Sequence, residues 1–519
     1  MHDLLEESLL GVDTPDGATT VCLAELLAGL SAGRVDGFTG LRPHQADPWH
    51  VFLVQLAASV LARCAPSPQV GEAAFWRDAL LELADGQGTA WQLVVDDVTR
   101  PAFLQHPLTS ASELAQHFKP KALAPDELDV LVTAKDHDVK IARAAADAVE
   151  AWLYSLLACQ TTSSFLGAGN YGTLRMNGGF ASRPVVSMVA DRHPSRRFVE
   201  DVRRLGEMRD TVVARHGYRQ RGITLTWLVP WERARHQFML GEVEPWFIEA
   251  VRCVRLVADG AALVALGATS KERQIGPKSV DAGDVGDPWI PINVEDKKKG
   301  RSALTVSATG WSPRQITRLL FQQGFELTSL QLPRAGDGAQ WFTGSVVVRG
   351  QGTTEGFHRF EVAIPAKARA RLLVRESADD LGRFAQELLA DASAVERAFD
   401  RALMALAEGG PASIDFKNRT VESWAKAVRG QSFQGWQEAY FPTLWRAAEV
   451  ADSALLRAEW QAQLVTRARH ALHSAERSMP LPTSRRYRAL VGAEGVLNAA
   501  LKTAGLIAAV PQPTEDNAA

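Results

Sequence analysis

The chain has 519 residues, 46% hydrophobic and 23% charged, long enough for two or more domains with their own cores and ordinary for a globular protein. Its 57 basic and 60 acidic side chains leave a net charge of −3, which excludes a polycation and confines any nucleic-acid contact to local basic patches. Cys22, Cys64, Cys159 and Cys253 lie far apart without a CxxC pair, which argues against structural zinc and a disulfide framework.

The acidic start MHDLLEESLL is unlike a signal peptide, and no apolar run reaches about 18 residues, so neither a leader nor a membrane span is expected. With those cysteines, a reducing cytoplasm is the expected compartment. Residues 1 to about 90 read as mostly helical. Asp47 and Pro48 are placed to cap and open a buried helix in DPWHVFLVQLAASVLARC. Trp91-Gln-Leu-Val-Val suggests a short strand, and Arg100 to Pro107 an extended, proline-punctuated segment. In LDVLVTAKDHDVKIAR, Lys135, Asp136, His137, Asp138 and Lys140 crowd together after an apolar start. Two carboxylates and an imidazole so close in sequence rarely converge on one ion, so a polar binding loop is favoured over metal. A periodic, alanine-rich helix, ARAAADAVEAWLYSLLAC, follows.

It leads into Phe165 to Pro184, FLGAGNYGTLRMNGGFASRP, which holds Gly167, Gly169, Gly172, Gly178 and Gly179. Between them stand Asn170, Tyr171, Arg175, Asn177 and Arg183, side chains that meet phosphates and base edges. A loop made to lie against a polar, extended ligand and a multi-turn connection between strands both fit this composition. No GxxxxGK[ST] is present, and no third glycine completes a dinucleotide fingerprint.

PVVSMVA reads as a strand. Arg192 to Arg221 then carries nine arginines against four acids, either a solvated helix face with i,i+4 pairs or a set of phosphate contacts. ITLTWLVPW is expected as a strand and PWFIEAVRCVRLV as a helix with its apolar side inward. Residues 262 to 370 look β-rich, with ALVALGA, PWIPINVE, ALTVSA, GSVVVRG and FHRFEVAIP as strands. Lys271, Arg273 and Lys278 lie in a glycine-flanked stretch, Lys297-Lys298-Lys299 suggests a hairpin tip, and Gln351 sits in a glycine-flanked turn. From about 377 onward, helical patterns over Asp379–Glu408, Val421–Gly430, Phe433–Arg477 and Thr483–Leu506 form four amphipathic segments with short connections. The expected fold is α+β: a large mixed α/β N-terminal domain over 1–376, a C-terminal four-helix bundle over 377–508, and a disordered tail over 509–519.

Several stretches taken together, in order, resemble one family. RPHQADPWHVFLVQLAA, PAFLQHPL, LDVLVTAKDHDVK, the glycine stretch, GDPWIPINV, RGQGTTEGFH and YFPTLW are similar to the large subunit (CasA) of the type I-E CRISPR Cascade surveillance complex. The resemblance implies a non-catalytic protein without cofactor, with an α/β domain and a four-helix bundle. It implies partners in the 5′ handle of the CRISPR RNA, double-stranded target DNA, the other Cascade subunits and a helicase-nuclease.

By position, Gly167, Ala168, Gly169 and Asn170 resemble the family's minor-groove loop for the protospacer-adjacent motif (PAM). Lys271 resembles the lysine that enters the groove, with Lys278 the neighbouring candidate, and Gln351 resembles the wedge that holds the duplex open. Lys135, His137 and Lys140 would face the RNA handle, and Arg175, Arg183, Arg196, Arg197 and Arg203 would take phosphates. Only Cys253 lies where some members carry a cysteine cluster, so no zinc is expected.

Two other classes compete. Arg467 and His473 satisfy the loose R-x5-H pattern of HEPN ribonucleases, although alanine follows the arginine. The bundle could equally serve a purely structural subunit as a docking surface. DNA reading requires Gly167, Lys271 and Gln351 to converge, and a scaffold does not.

Overall fold

The computed structural model describes residues 2–64, 69–131, 148–177, 182–260, 262–276, 281–298, 300–350, 353–411, 418–432, 435–450, 452–478 and 483–508. They form two compact units: Met1–Ser312 with Arg318–Pro333 and Gln340–Ala363, and Pro313–Thr317 with Arg334–Ala339 and Ile364–Ala519.

The first unit mixes helices with small sheets. At its centre the helices Pro43–Leu61 and Val149–Thr162 are buried nearly all round, because apolar side chains encircle both. Trp49 stacks on Phe52 with ring centres 5.6 Å apart and meets Tyr154 edge-on at 5.2 Å, while Phe103 joins Phe52 to Trp227. The first of these helices begins earlier than its sequence suggests. Pro43 stands at its start, Gln45 Oε1 accepts from the Arg42 N–H at 3.2 Å, and Pro48 lies inside. Asp47 is freed from capping and instead pairs with Arg197 and accepts from the Ser345 hydroxyl at 2.6 Å. Burial works against its charge, but Arg197 and Ser345 hold the carboxyl below its ordinary value.

The strand Val185–Val189 pairs antiparallel with Gln340–Gly350, whose other neighbour is Thr353–Ile364. PWFIEAVRCVRLV is not a helix. It forms the strand Val243–Ile248, a short connection and the strand Cys253–Asp259, the latter paired with Ala262–Ala268. Aromatic and β-branched residues in a run this short fit a fully buried strand as well as a helix. Trp91-Gln-Leu-Val-Val is likewise no strand: Gly88–Trp91 is a 3-10 turn, and Gln92 makes only a single bridge to Asp3. Lys297 and Lys298 do lie at a hairpin tip, between the paired strands Ile292–Asp296 and Gly300–Ala303.

The second unit is helical. Arg375–Ala407 packs against Thr483–Thr503 and Ser453–Ala475, with Arg419–Ser432 and Trp436–Arg446 beside it. Leu388, Phe399, Leu403, Tyr440, Trp460 and Leu472 fill the core. Arg457 grips Asp391 with two donors at 2.8 and 3.0 Å. The expected third segment, Phe433–Arg477, is two helices: the first stops at Arg446, and Asp452 starts the second by accepting from the Ala454 N–H at 2.8 Å.

Candidate nucleic-acid interface

The Val149–Thr162 helix ends where the glycine loop begins. The Thr173 N–H donates to the Ser163 carbonyl at 3.1 Å, closing the loop at its base. Nearer the tip, the Leu166 N–H donates to the Asn170 carbonyl at 2.9 Å and the Asn170 N–H to the Gly167 carbonyl at 3.0 Å. Residues 167–170 are therefore a tight turn. Its third residue, Gly169, has φ +89°, a conformation open to glycine and costly for other L-residues. Gly172 acts differently. A Cβ there would sit 2.6 Å from the Ser164 carbonyl carbon and 2.8 Å from the Ser163 oxygen, so its bareness lets the two limbs touch. Ala168 is exposed at the tip, while Tyr171 is buried with its ring 5.7 Å from Phe165. Asn177 donates to the Ala303 carbonyl at 3.0 Å, a structural contact.

The loop lies directly against the segment that carries Lys271. The Ser270 N–H donates to the Gly169 carbonyl at 3.1 Å, and a Cβ on Gly169 would meet the Thr269 Cβ at 2.9 Å. On its other side the Lys271 N–H donates to the Arg233 carbonyl at 2.7 Å, while the lysine side chain is exposed. Arg233 is itself anchored: it pairs with Glu113 at 2.5 Å and lies over the Phe118 ring. Burial opposes the charge on Glu113, but donors from Thr109 and Arg233 keep its carboxyl below the ordinary value. Backbone hydrogen bonds on two sides thus fix where the lysine emerges.

Gln351, Lys278, Lys135, His137 and Lys140 lie outside the described residues. The strands that flank Gln351, Gln340–Gly350 and Thr353–Ile364, are neighbours in one sheet.

The arginines depart from expectation. Arg175 and Arg183 are not phosphate contacts: only 2% and 4% exposed, both are core residues. Arg175 pairs with Glu249 at 2.9 Å and Asp287 at 3.1 Å, donates to the Phe247 carbonyl and lies over the Phe247 ring. Arg183 pairs with the same Asp287 at 2.5 Å. Buried cations must be matched, and these two are matched by two carboxylates.

The helix Pro194–His216 carries the other three. Arg197 is half-buried between Asp47 and Asp201, Arg196 pairs with Asp191 at 2.8 Å, and Arg203 pairs with Glu200 and Glu207 one turn away on either side. For Arg203 the helix-face pairing is what the structure holds. Elsewhere, burial pushes the Cys253 thiol up to about 12, which disfavours a thiolate ligand. Among the described residues no group of three or more His, Cys, Asp and Glu side chains is arranged to hold a metal ion. None of the described helices is long and apolar enough to cross a membrane. In the helical unit His473 meets Glu494 at 2.8 Å. Arg467 lies six positions earlier on the same helix, about 120° away around the axis.

Sequence patterns did not single out Gln160, Glu249, Arg252, Thr269, Ser270 or Asp287, which shape the loop and its surroundings. Glu249 and Arg252 did leave a signal. They are charged residues inside an otherwise apolar run, and a charge so placed is normally buried with a partner.

No protein-family model and no curated protein sequence matches the chain. Solved structures do. A crystal structure of CasA from Thermus thermophilus is 14% identical, with a TM-score of 0.63 over 96% of this chain and 99% of that one. The CRISPR-associated protein Cse1 from Acidimicrobium ferrooxidans is 15% identical, with a TM-score of 0.60 over 97% and 98%. A chain of a CRISPR RNA-guided surveillance complex is 14% identical, with a TM-score of 0.53 over 96% and 99%. At such identities the likeness is one of fold, and it runs the length of the molecule: the chain has the α+β CasA (Cse1) fold, helical C-terminal region included.

Proposed function

We propose that this chain is the non-catalytic large subunit of a type I-E CRISPR RNA-guided surveillance complex, and that it reads the PAM of double-stranded DNA from the minor groove. The observation that carries this reading is the hydrogen bond from the Ser270 N–H to the Gly169 carbonyl, which sets the bare turn 167–170 beside exposed Lys271. A turn of Gly167, Ala168, Gly169 and Asn170 presents almost no side chain, so backbone groups can enter a narrow groove. A lysine beside it meets the acceptors that every base pair shows there. The fold likeness to CasA structures and to a chain of a surveillance complex supports the same role.

In this reading Gln351 wedges the opened duplex, and Lys135, His137 and Lys140 face the 5′ handle of the CRISPR RNA. Other Cascade subunits and a helicase-nuclease are the protein partners, in the cytoplasm. Exposed Arg196 and Arg203 would add phosphate attraction only by exchanging their carboxylate partners.

The test is co-assembly with the remaining subunits and a guide RNA, followed by titration with duplexes that differ only in the PAM. Lys271→Ala should lower affinity for the PAM duplex about tenfold and reduce the salt slope by about one, with assembly unchanged. Assembly without PAM dependence in the unmodified protein would leave a scaffold and refute the reader.

A further inference from the structure

We propose that Arg252 is a positioning residue that holds the glycine loop in its reading shape; the proposal rests on the assignment of that loop to the minor groove. Arg252 is 4% exposed and sits in the connection between the strands Val243–Ile248 and Cys253–Asp259. Its guanidinium reaches both limbs of the loop. Nη1 donates to the Tyr171 carbonyl at 2.6 Å and Nη2 to the Ser164 carbonyl at 2.5 Å. These two carbonyls flank the turn 167–170, one on each side. A planar fork with fixed donors can staple two acceptors at a set separation, which the single point charge of lysine cannot do.

The base of the fork is fixed as well. The Arg252 N–H donates to Gln160 Oε1 at 2.7 Å, and Gln160 Nε2 donates back to the Arg252 carbonyl at 3.0 Å and to the Leu104 carbonyl at 2.8 Å. Gln160 belongs to the helix that leads into the loop, so helix, strand connection and loop are locked by one hydrogen-bonded set. Through the staple, Arg252 governs the distance between the limbs. That distance decides whether the Gly169 carbonyl meets the Ser270 N–H, and so whether turn and lysine keep register.

The test compares the unmodified chain with Arg252→Lys and Arg252→Met. Amide exchange is measured over residues 163–173, against the strand 253–259 as an internal reference, and PAM-dependent duplex binding is measured in the assembled complex. A lysine ammonium keeps the charge but has no fixed fork, so it cannot hold the Tyr171 and Ser164 carbonyls at a set separation. Exchange across the loop should therefore quicken about tenfold or more with the reference strand unchanged, and preference for the PAM duplex should fall about tenfold while guide-RNA assembly and PAM-less binding hold. Should Arg252→Met fail to fold, Arg252→Lys carries the comparison.

Unchanged loop exchange in Arg252→Lys would overturn the proposal. So would equal quickening of loop and strand, which marks a general loss of stability, or a loosened loop with intact PAM preference. A wild-type complex without PAM preference would instead refute the minor-groove assignment. The exchange data are read separately and would still decide whether Arg252 holds the loop.

Discussion

Alanine placed in turn at Gly167, Gly169 and Gly172 separates backbone strain from packing, because the three sites differ in kind. Gly167 has φ +105° with nothing within 4 Å of an added Cβ, so Gly167→Ala pays strain alone. A left-handed conformation costs roughly 1–2 kcal/mol, and the stiffer unfolded chain returns roughly 0.4–1, leaving about 1 kcal/mol. Gly169 has φ +89° and an added Cβ 2.9 Å from the Thr269 Cβ and 3.1 Å from its Cγ2. Gly169→Ala therefore carries similar strain plus about 1–3 kcal/mol of overpacking, for a loss of about 2–4 kcal/mol. At Gly172 the neighbours are backbone atoms of Ser163, Ser164 and Phe165 at 2.6 to 2.8 Å, which cannot rotate away. Gly172→Ala should cost about 3 kcal/mol and part the limbs of the loop.

Equilibrium urea unfolding of the isolated protein ranks the three. The added variant Thr269→Gly removes both clashing atoms. In the double variant Gly169→Ala/Thr269→Gly, about 1–3 kcal/mol of the summed single losses should return, while Thr269→Gly should give Gly167→Ala nothing. Equal losses at Gly167 and Gly169, with no recovery in the double variant, would mean that the glycine loop does not pack on the Lys271 segment. The convergence on which the proposed function depends would then fail.

Arg175→Met should destabilise the first unit by about 3–5 kcal/mol in the same unfolding assay, because buried Glu249 and Asp287 would both lose the guanidinium that bridges them. Buried His106 is held near a pKa of about 4 by desolvation, well below its ordinary 6.5. The unfolded chain binds that proton first, so stability should fall as pH drops from about 6.5 to 4, by up to about 3 kcal/mol, and His106→Gln should flatten that part of the urea-midpoint profile. Hydrogen bonds from Arg215, and then from Arg301, bring Glu326 down to about 2. Its contribution should be present above about pH 4.5 and fade as pH falls toward 2, and Glu326→Gln should remove that acid-side slope. In the proposed non-catalytic role, purified protein incubated with RNA without metal should leave it uncut; cleavage abolished by His473→Ala would reverse that reading.

How far the sequence speaks for the structure varies with the range of the forces involved. Helices that bury one stripe, such as Pro194–His216, and hairpins closed by turn residues, such as the one carrying Lys297 and Lys298, are local, and their residue patterns announce them. The run from Trp246 to Val257 is largely apolar, and periodicity cannot choose between helix and strand there; pairing of its first part with Ile223–Leu225 and of its last with Ala262–Ala268 decides it, and those partners are tertiary. The candidate site divides the same way. Glycine content signals a tight turn at 167–170, yet Lys271 becomes its neighbour only through the Gly169–Ser270 contact, roughly a hundred positions away in sequence. Arg175 and Arg183 mislead for a physical reason. Beside glycines they resemble phosphate ligands, and only the fold brings Asp287 and Glu249 to them.

The distribution of charge bears on how such a protein would hold DNA. Nine arginines between 192 and 221 look like an electrostatic track, but most of those the fold describes are matched within the first unit. Arg192 pairs with Glu361, Arg203 and Arg204 with Glu200, Arg209 with Glu244, and Arg215 with Glu326. A matched cation releases few counterions when a phosphate approaches, so in the proposed role this helix would add little to non-specific affinity. Exposed Lys271, with its backbone fixed on both sides, would contribute at one point and in one direction. A subunit built this way would discriminate between duplexes while binding DNA weakly by itself, and would depend on the guide and its companion subunits for affinity. That division of labour suits a reader that must test many sites and leave most of them quickly.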